Sequence, residues 1–250
     1  MSPFDLSGKT AIVTGAARGL GQGIAIALAE AGADVVAVSF SSSEDTVQAV
    51  RSLGRQATEI QVDLSDHSKL QATFDESLAL TGQVDILVNN AGIIRRAPAK
   101  DHSTKDWFDV INLNLNSVYL LSQIAGRHMI DRGSGKIINI CSMLSYQGGI
   151  NVPGYTASKH GVAGLTKALA NEWAASGVQV NGIAPGYIET DNTAPIRQDP
   201  ERTKSITDRI PAGRWGTPKD IGGPAIFLAS SASDYVNGHV LCVDGGWMGR

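Results

Sequence analysis

Residues 9–30 read KTAIVTGAARGLGQGIAIALAE, and their reading sets the fold. The first six are an apolar, β-branched run of strand length. Gly15, Gly19 and Gly21 follow, and Leu20, Ile24 and Leu28 then recur at helical spacing. The segment is therefore a strand, a glycine-rich turn and a helix. The glycine spacing is G-x-x-x-G-x-G rather than G-x-G-x-x-G. Glycine lets a backbone bend sharply and approach a phosphate closely, while the helix start offers free N–H groups and a favourable dipole to a pyrophosphate. In a chain with 28 glycines such a trio can also be no more than a tight turn. Its position between a buried strand and an amphipathic helix is what points to a dinucleotide.

The same unit repeats outward from this segment. Residues 34–39, 57–62, 84–88, 136–140, 178–183 and 239–243 are further short runs rich in Val and Ile. They barely alternate, as expected when both faces of a parallel sheet are covered. Helical patterns lie between them at residues 20–31, 66–80, 105–129 and 155–175, and Thr217-Pro218-Lys219-Asp220 marks another helix start. Strand–helix alternation predicts right-handed crossovers, an α/β class and a doubly wound parallel sheet in one domain spanning residues 1–250. Residues 186–217, with Pro195, Pro200 and Pro211, read as an irregular substrate lid.

Composition narrows the function classes. The 250 residues carry 21 Lys+Arg against 24 Asp+Glu, which argues against a nucleic-acid or anionic-membrane partner. No apolar stretch has the length of a membrane span, and the first residues lack a secretory pattern. Cys141 and Cys242 cannot make a disulfide framework or a metal set, so a reducing, cytoplasmic setting is expected. The five histidines show neither metal-ligand spacing nor a triad pattern, so no metal is expected, and Cys141 reads as a small strand residue.

Beyond the strand ends stand the residues with chemistry. Asn90, Ala91 and Gly92 follow the fourth strand and Ser142 the fifth; Asn114 lies on the helix before the fifth. Tyr155 and Lys159, four apart, share a helix face, and a nearby ammonium favours the phenolate form of a tyrosine. Ser142 can hydrogen-bond a substrate oxygen as charge develops on it. A carboxylate that would bind adenosine ribose hydroxyls is missing at Ser39. Arg18 can then meet a 2′-phosphate, which favours NADP(H) and leaves NAD(H) open; the alternative is a solvated Arg18 and serines that form a helix-capping loop.

Together, TGAARGLG at 14–21, Asp63, NNAG at 89–92, Asn114, Ser142, YTASK at 155–159 and PGYIET at 185–190 resemble the short-chain dehydrogenase/reductase family, over residues 6–250. The resemblance implies a Rossmann-type sheet of about seven strands and a catalytic set of Asn114, Ser142, Tyr155 and Lys159. It places Gly15, Arg18, Gly19, Leu20, Gly21, Ser39, Asp63, Leu64, Asn90, Ala91, Gly92, Tyr155, Lys159, Pro185, Gly186, Ile188 and Thr190 around the cofactor. Asp63 would contact adenine, Ile188 and Thr190 the nicotinamide carboxamide and Lys159 the ribose, while Asn114 would hold a water. It also implies a homotetramer built through two long helices and the C-terminal strand.

Segments such as NNAGIIRR at 89–96 and SMLSYQGGINVPGYTASK at 142–159 are similar to family members that act on keto-deoxy sugar acids from pectin or alginate breakdown. An anionic sugar acid is thus the expected substrate. Arg96 beside Arg95, or Arg202 and Arg209 on the lid, would meet its carboxylate; Gln147 and Tyr146 would meet its hydroxyls. A 3-oxoacyl thioester reductase, a gluconate 5-dehydrogenase and a non-catalytic nicotinamide sensor are the competing readings.

Overall fold

The computed structural model describes residues 2–250. Its strands are β1 (Thr10–Thr14), β2 (Asp34–Ser39), β3 (Ala57–Gln61), β4 (Ile86–Asn89), β5 (Gly135–Ile140), β6 (Val178–Pro185) and β7 (Val240–Val243). They form one parallel sheet in the order β3-β2-β1-β4-β5-β6-β7. The order reverses between β1 and β4, which opens a crevice at their C-terminal ends. The helices between them are α1 (Gly19–Glu30), α2 (Glu44–Ser52), α3 (Leu70–Thr81), α4 (Thr104–Ile111), α5 (Ser117–Arg132), α6 (Pro153–Trp173), α7 (Ala194–Arg197), α8 (Pro200–Thr207) and α9 (Pro218–Ala229).

The pleat divides each apolar run between two cores. Ala11 and Val13 of β1 pack with Ile24 and Leu28 of α1 and Ile221 and Leu228 of α9. Ile12, between them, faces Phe74 of α3 and Leu121 and Met129 of α5. Every residue of β1 is buried, which explains why its sequence lacks alternation. The expected α/β class and doubly wound sheet are what the structure has.

Three elements differ from the sequence reading. Residues 44–52, to which the sequence reading assigned no element, form α2: Glu44 and Asp45 favour its N-terminus, and Thr46, Val47 and Val50 are buried. The long helix expected over 105–129 is broken by a π turn at Asn112–Asn116 between α4 and α5. The lid is not irregular throughout. Pro195 and Pro200, read as loop residues, stand in the first turns of α7 and α8, where a missing N–H costs nothing. Asp199 caps α8 by accepting from the Arg202 N–H at 3.0 Å. The helix start at Thr217 is found as expected, with Thr217 and Asp220 forming a capping box.

Candidate active site

The crevice begins with Thr14, the buried last residue of β1. Its Oγ1 accepts from the Asn90 N–H at 2.9 Å and the Ala91 N–H at 3.0 Å, and donates to the Val88 carbonyl at 3.2 Å. Asn90 returns the connection, its Nδ2 donating to the Thr14 and Gly15 carbonyls at 2.9 and 3.2 Å. The two loops are so close that a methyl group on Gly15 would lie 2.9 Å from Asn90 Nδ2, and one on Gly21 only 2.1 Å from the Gly15 carbonyl oxygen. Gly19, at φ +58°, begins α1 and is followed by Leu20. Glycine is required here by packing and backbone conformation alike.

Around this turn, Ser39 is buried at the end of β2 and its Oγ accepts from the Ala17 N–H at 3.1 Å. Arg18 reaches the lid: its Nε lies 3.3 Å from Asp191 Oδ2, with both side chains about three-quarters exposed. Ser42 donates to Glu59 of β3 at 3.1 Å, and the Ser43 N–H donates to the same carboxylate. Part of the serine run is thus a loop tied down by a carboxylate that sequence reading had not singled out. Asp63 Oδ1 accepts from the Ser65 N–H and hydroxyl at 2.9 and 2.7 Å, while Leu64 packs into the core.

Past Pro185, the Gly186 N–H donates to the Val243 carbonyl at 2.9 Å. Ile188 is buried and bridges in parallel to Gly216, and the Thr190 N–H donates to Thr193 Oγ1 at 3.1 Å. A methyl on Gly19 would stand 3.5 Å from the Thr190 methyl, so the base of the lid faces the glycine turn.

Asn114 occupies the middle of the π turn and is fully buried. Its Oδ1 accepts from the Ile93 N–H and its Nδ2 donates to the Ile93 carbonyl, both at 2.9 Å. This clamps the chain just after Gly92. Ser142 opens a tight turn beyond β5, its Oγ accepting from the Leu144 N–H at 3.1 Å. Pro153 starts α6 two residues before Tyr155, so Tyr155 sits in the first turn and Lys159 in the next. Lys159 is only 5% exposed; its ammonium donates to the Ile140 carbonyl and lies 5.6 Å from the centre of the Tyr155 ring. Among the described residues no carboxylate is ion-paired with it. Cys141, beside Ser142, is buried, and that burial pushes its thiol up to about 11.

The outer wall sorts the remaining candidates. Arg95 is paired with Asp106 and Asp109 of α4 at 3.4 and 3.8 Å, which commits it to that helix. Arg96 is exposed on the same segment. The Tyr146 hydroxyl donates to the Val240 carbonyl at 3.1 Å, and burial pushes its phenol up to about 12. Trp215 anchors the lid, its indole N–H on Thr207 Oγ1 at 3.0 Å. Gln147 Oε1 accepts from the indole N–H of Trp247, 100 residues on in the chain.

A family model described as enoyl-(acyl carrier protein) reductase matches residues 15–248. A Bacillus subtilis relative, described as 2-dehydro-3-deoxy-D-gluconate 5-dehydrogenase, is 61% identical over 99% of this chain and 97% of its own. A crystal structure from Agrobacterium tumefaciens with NADP bound is 50% identical, with a TM-score of 0.94 over the whole of both chains. Another, a gluconate 5-dehydrogenase from Burkholderia cenocepacia in complex with NADP and tartrate, is 42% identical, with a TM-score of 0.94 over 99% of this chain and 98% of that one. With matches of this extent on a sheet and crevice of this geometry, the chain belongs to the short-chain dehydrogenase/reductase family and is an NAD(P)-dependent oxidoreductase.

Proposed function

We propose that the chain interconverts a hydroxyl and a ketone on a keto-deoxy sugar acid, 2-dehydro-3-deoxy-D-gluconate or a related uronate, with NADP(H) used in preference to NAD(H). The observation that carries the reading is the buried ammonium of Lys159. Burying a cation without a counter-charge costs several kcal/mol, on the order of 2–5 in practice. Here it stands beside a tyrosine, with one N–H spent on a carbonyl and two left to donate. A ligand's hydroxyls can accept from those two donors. The glycine turn, which admits no Cβ at Gly15 or Gly21, fits the close approach of a pyrophosphate.

When bound, the nicotinamide supplies or accepts a hydride at its C4 carbon. The chain's own groups handle the oxygen and the proton. Ser142 accepts from Leu144, which leaves its hydroxyl hydrogen to donate to the substrate oxygen. Tyr155 gives that oxygen a proton in reduction and takes one in oxidation. Lys159 offsets the negative charge that collects on the tyrosine oxygen. Asn114 spends its side chain on Ile93, so the relay water falls to the main chain of the π turn, where the regular ladder of carbonyl partners is interrupted.

Gly15, Arg18, Gly19, Leu20, Gly21, Ser39, Asp63, Leu64, Asn90, Ala91, Gly92, Pro185, Gly186, Ile188 and Thr190 are the proposed cofactor contacts, with Tyr155 and Lys159. The neutral Ser39 and the cationic Arg18 support the 2′-phosphate, as does the NADP held by two related crystal structures. The sugar-acid substrate is supported by the description of the 61%-identical relative. Arg96 and Gln147 are proposed to meet the sugar-acid substrate. A cytoplasmic homotetramer completes the proposal: Trp107, Phe108 and Tyr119 on α4 and α5 are exposed, and β7 ends the sheet with one unpaired edge. No described helix is long and apolar enough to cross a membrane.

The test is initial rates of NADPH and NADH oxidation with a diketo-deoxy-gluconate, 5-keto-D-gluconate and an acetoacetyl thioester. Turnover confined to the sugar acids supports the reading, and preference for the thioester removes the substrate. Tyr155→Phe is expected to lower turnover by about 10²–10⁴-fold while NADPH still binds; near-normal turnover in that variant ends the mechanism.

A further inference from the structure

We propose that Trp247 is a positioning residue that builds a carboxylate receptor: its indole N–H fixes Gln147 as a hydrogen-bond donor, and its ring face holds the guanidinium of Arg209 next to it. The proposal rests on the anionic substrate argued above and assigns where that anion binds.

The C-terminal tail is shaped to place this indole. Gly245 and Gly246, at φ +66° and +92°, turn the chain back on itself. Asp244 locks the turn by accepting from the Gly246 and Met248 N–H groups, each at 2.9 Å. The Ala212 N–H on the lid donates to the Gly245 carbonyl at 2.9 Å, which joins tail to lid. Trp247 is buried there in a cluster that includes Met143, the residue after Ser142.

Two polar groups use the one indole. Its Nε1 donates to Gln147 Oε1 at 3.2 Å, and the Arg209 guanidinium carbon stands 4.0 Å from the ring centre. An indole nitrogen is a donor only, so the Gln147 oxygen must face it. The amide NH2 is then presented elsewhere, as two donors with a settled orientation. A guanidinium stacked on a ring keeps its N–H edges available for a planar anion. Gln147 lies five residues beyond Ser142, and its own N–H donates to the Met143 carbonyl at 3.1 Å. Two donor-only groups thus share one rigid support at the edge of the proposed reacting centre. A carboxylate, whose oxygens only accept and carry the charge that a guanidinium favours, satisfies both.

Three variants test the idea in the full-length protein: Gln147→Glu, which replaces the donor by an acid; Trp247→Phe, which keeps a ring under Arg209 and deletes the N–H; and Arg209→Ala. Each is assayed with 5-keto-D-gluconate and with L-sorbose, a six-carbon ketone without a carboxylate, and each is titrated with NADPH by fluorescence. Losing a hydrogen bond to a charged group is expected to raise KM for 5-keto-D-gluconate about tenfold in Gln147→Glu and Arg209→Ala. Trp247→Phe is expected to raise it about threefold, because the amide is only freed to rotate. The kcat, the NADPH affinity and the rates with L-sorbose are expected to change less than about twofold.

Unchanged KM for the anion in Gln147→Glu and Arg209→Ala overturns the receptor. Equal losses with L-sorbose overturn it too, because they mark a merely structural role. Should Trp247→Phe fail to fold, the other two variants still decide. Wild-type protein inert toward every sugar acid would instead overturn the functional reading itself.

Discussion

Replacing Thr14 with valine is expected to loosen the glycine turn without opening a cavity, because the two side chains are nearly equal in shape. Thr14 is 2% exposed, and its single hydroxyl serves Asn90, Ala91 and Val88. Valine strands the two amide hydrogens at the start of the β4 loop. Each unsatisfied buried group costs about 1–3 kcal/mol, and partial access of water to this loop brings the sum to about 2–4 kcal/mol. In a chain of 250 residues, about 1 kcal/mol corresponds to 2–4 °C in Tm, so a fall of about 4–16 °C is expected. Thermal unfolding followed by circular dichroism, without cofactor, measures it. A second scan with saturating NADPH should show a smaller ligand-induced rise than wild type, since Asn90 and Ala91 are no longer held. A Tm within about 2 °C of wild type would refute the view that one hydroxyl joins the two loops.

Three further outcomes follow from other groups. Arg18→Ala is expected to weaken NADPH about tenfold and NADH little, as befits one charge-assisted contact to a 2′-phosphate; equal weakening of both in fluorescence titrations would assign Arg18 another role. The Arg214 guanidinium, with the Thr217 N–H and hydroxyl, holds the Asp220 carboxyl well below the usual carboxylate range. Because the folded value is depressed, the stabilisation is complete above the unfolded value of about 3.9 and fades as pH falls toward the folded one. The Tm gap between wild type and Asp220→Asn should therefore hold steady from pH 7 to about 5 and narrow below about 4; a gap that widens in acid contradicts the sign. Finally, a disulfide reagent at pH 8 should leave buried Cys141 unlabelled until the protein unfolds, and Cys141→Ala should stay active. Rapid labelling of Cys141 in the native protein would contradict its burial.

Much of the architecture was legible because it is written in local patterns. Runs such as residues 9–14 and 84–88 lack alternation, which only a sheet covered on both faces tolerates. The glycines at 15, 19 and 21 and the cap at Thr217 report backbone geometry directly, and both stand where their chemistry requires. Spacing alone put Tyr155 and Lys159 on one helix face, and they meet there. The helix α2 was missed because its nine residues follow a serine run that reads as loop, and its caps are weak. Pro195 and Pro200 misled for a related reason, since proline marks a helix start as readily as a loop.

What the sequence by itself determined, then, was the parallel α/β sheet, the glycine turn between its first strand and helix, and the helix that pairs a tyrosine with a lysine. Tertiary structure alone decided how the remaining groups are used. The π turn leaves no mark on the apolar spacing of residues 105–129, yet it aims Asn114 at Ile93. Arg18 meets Asp191 on the lid, Ser42 meets Glu59 on a neighbouring strand, and Gln147 meets Trp247 across 100 residues. Periodicity and turn chemistry act over a few residues and can be read along the chain. The partner of a polar side chain depends on which distant loops the crossovers bring to the same end of the sheet, and that is settled only when the chain closes on itself.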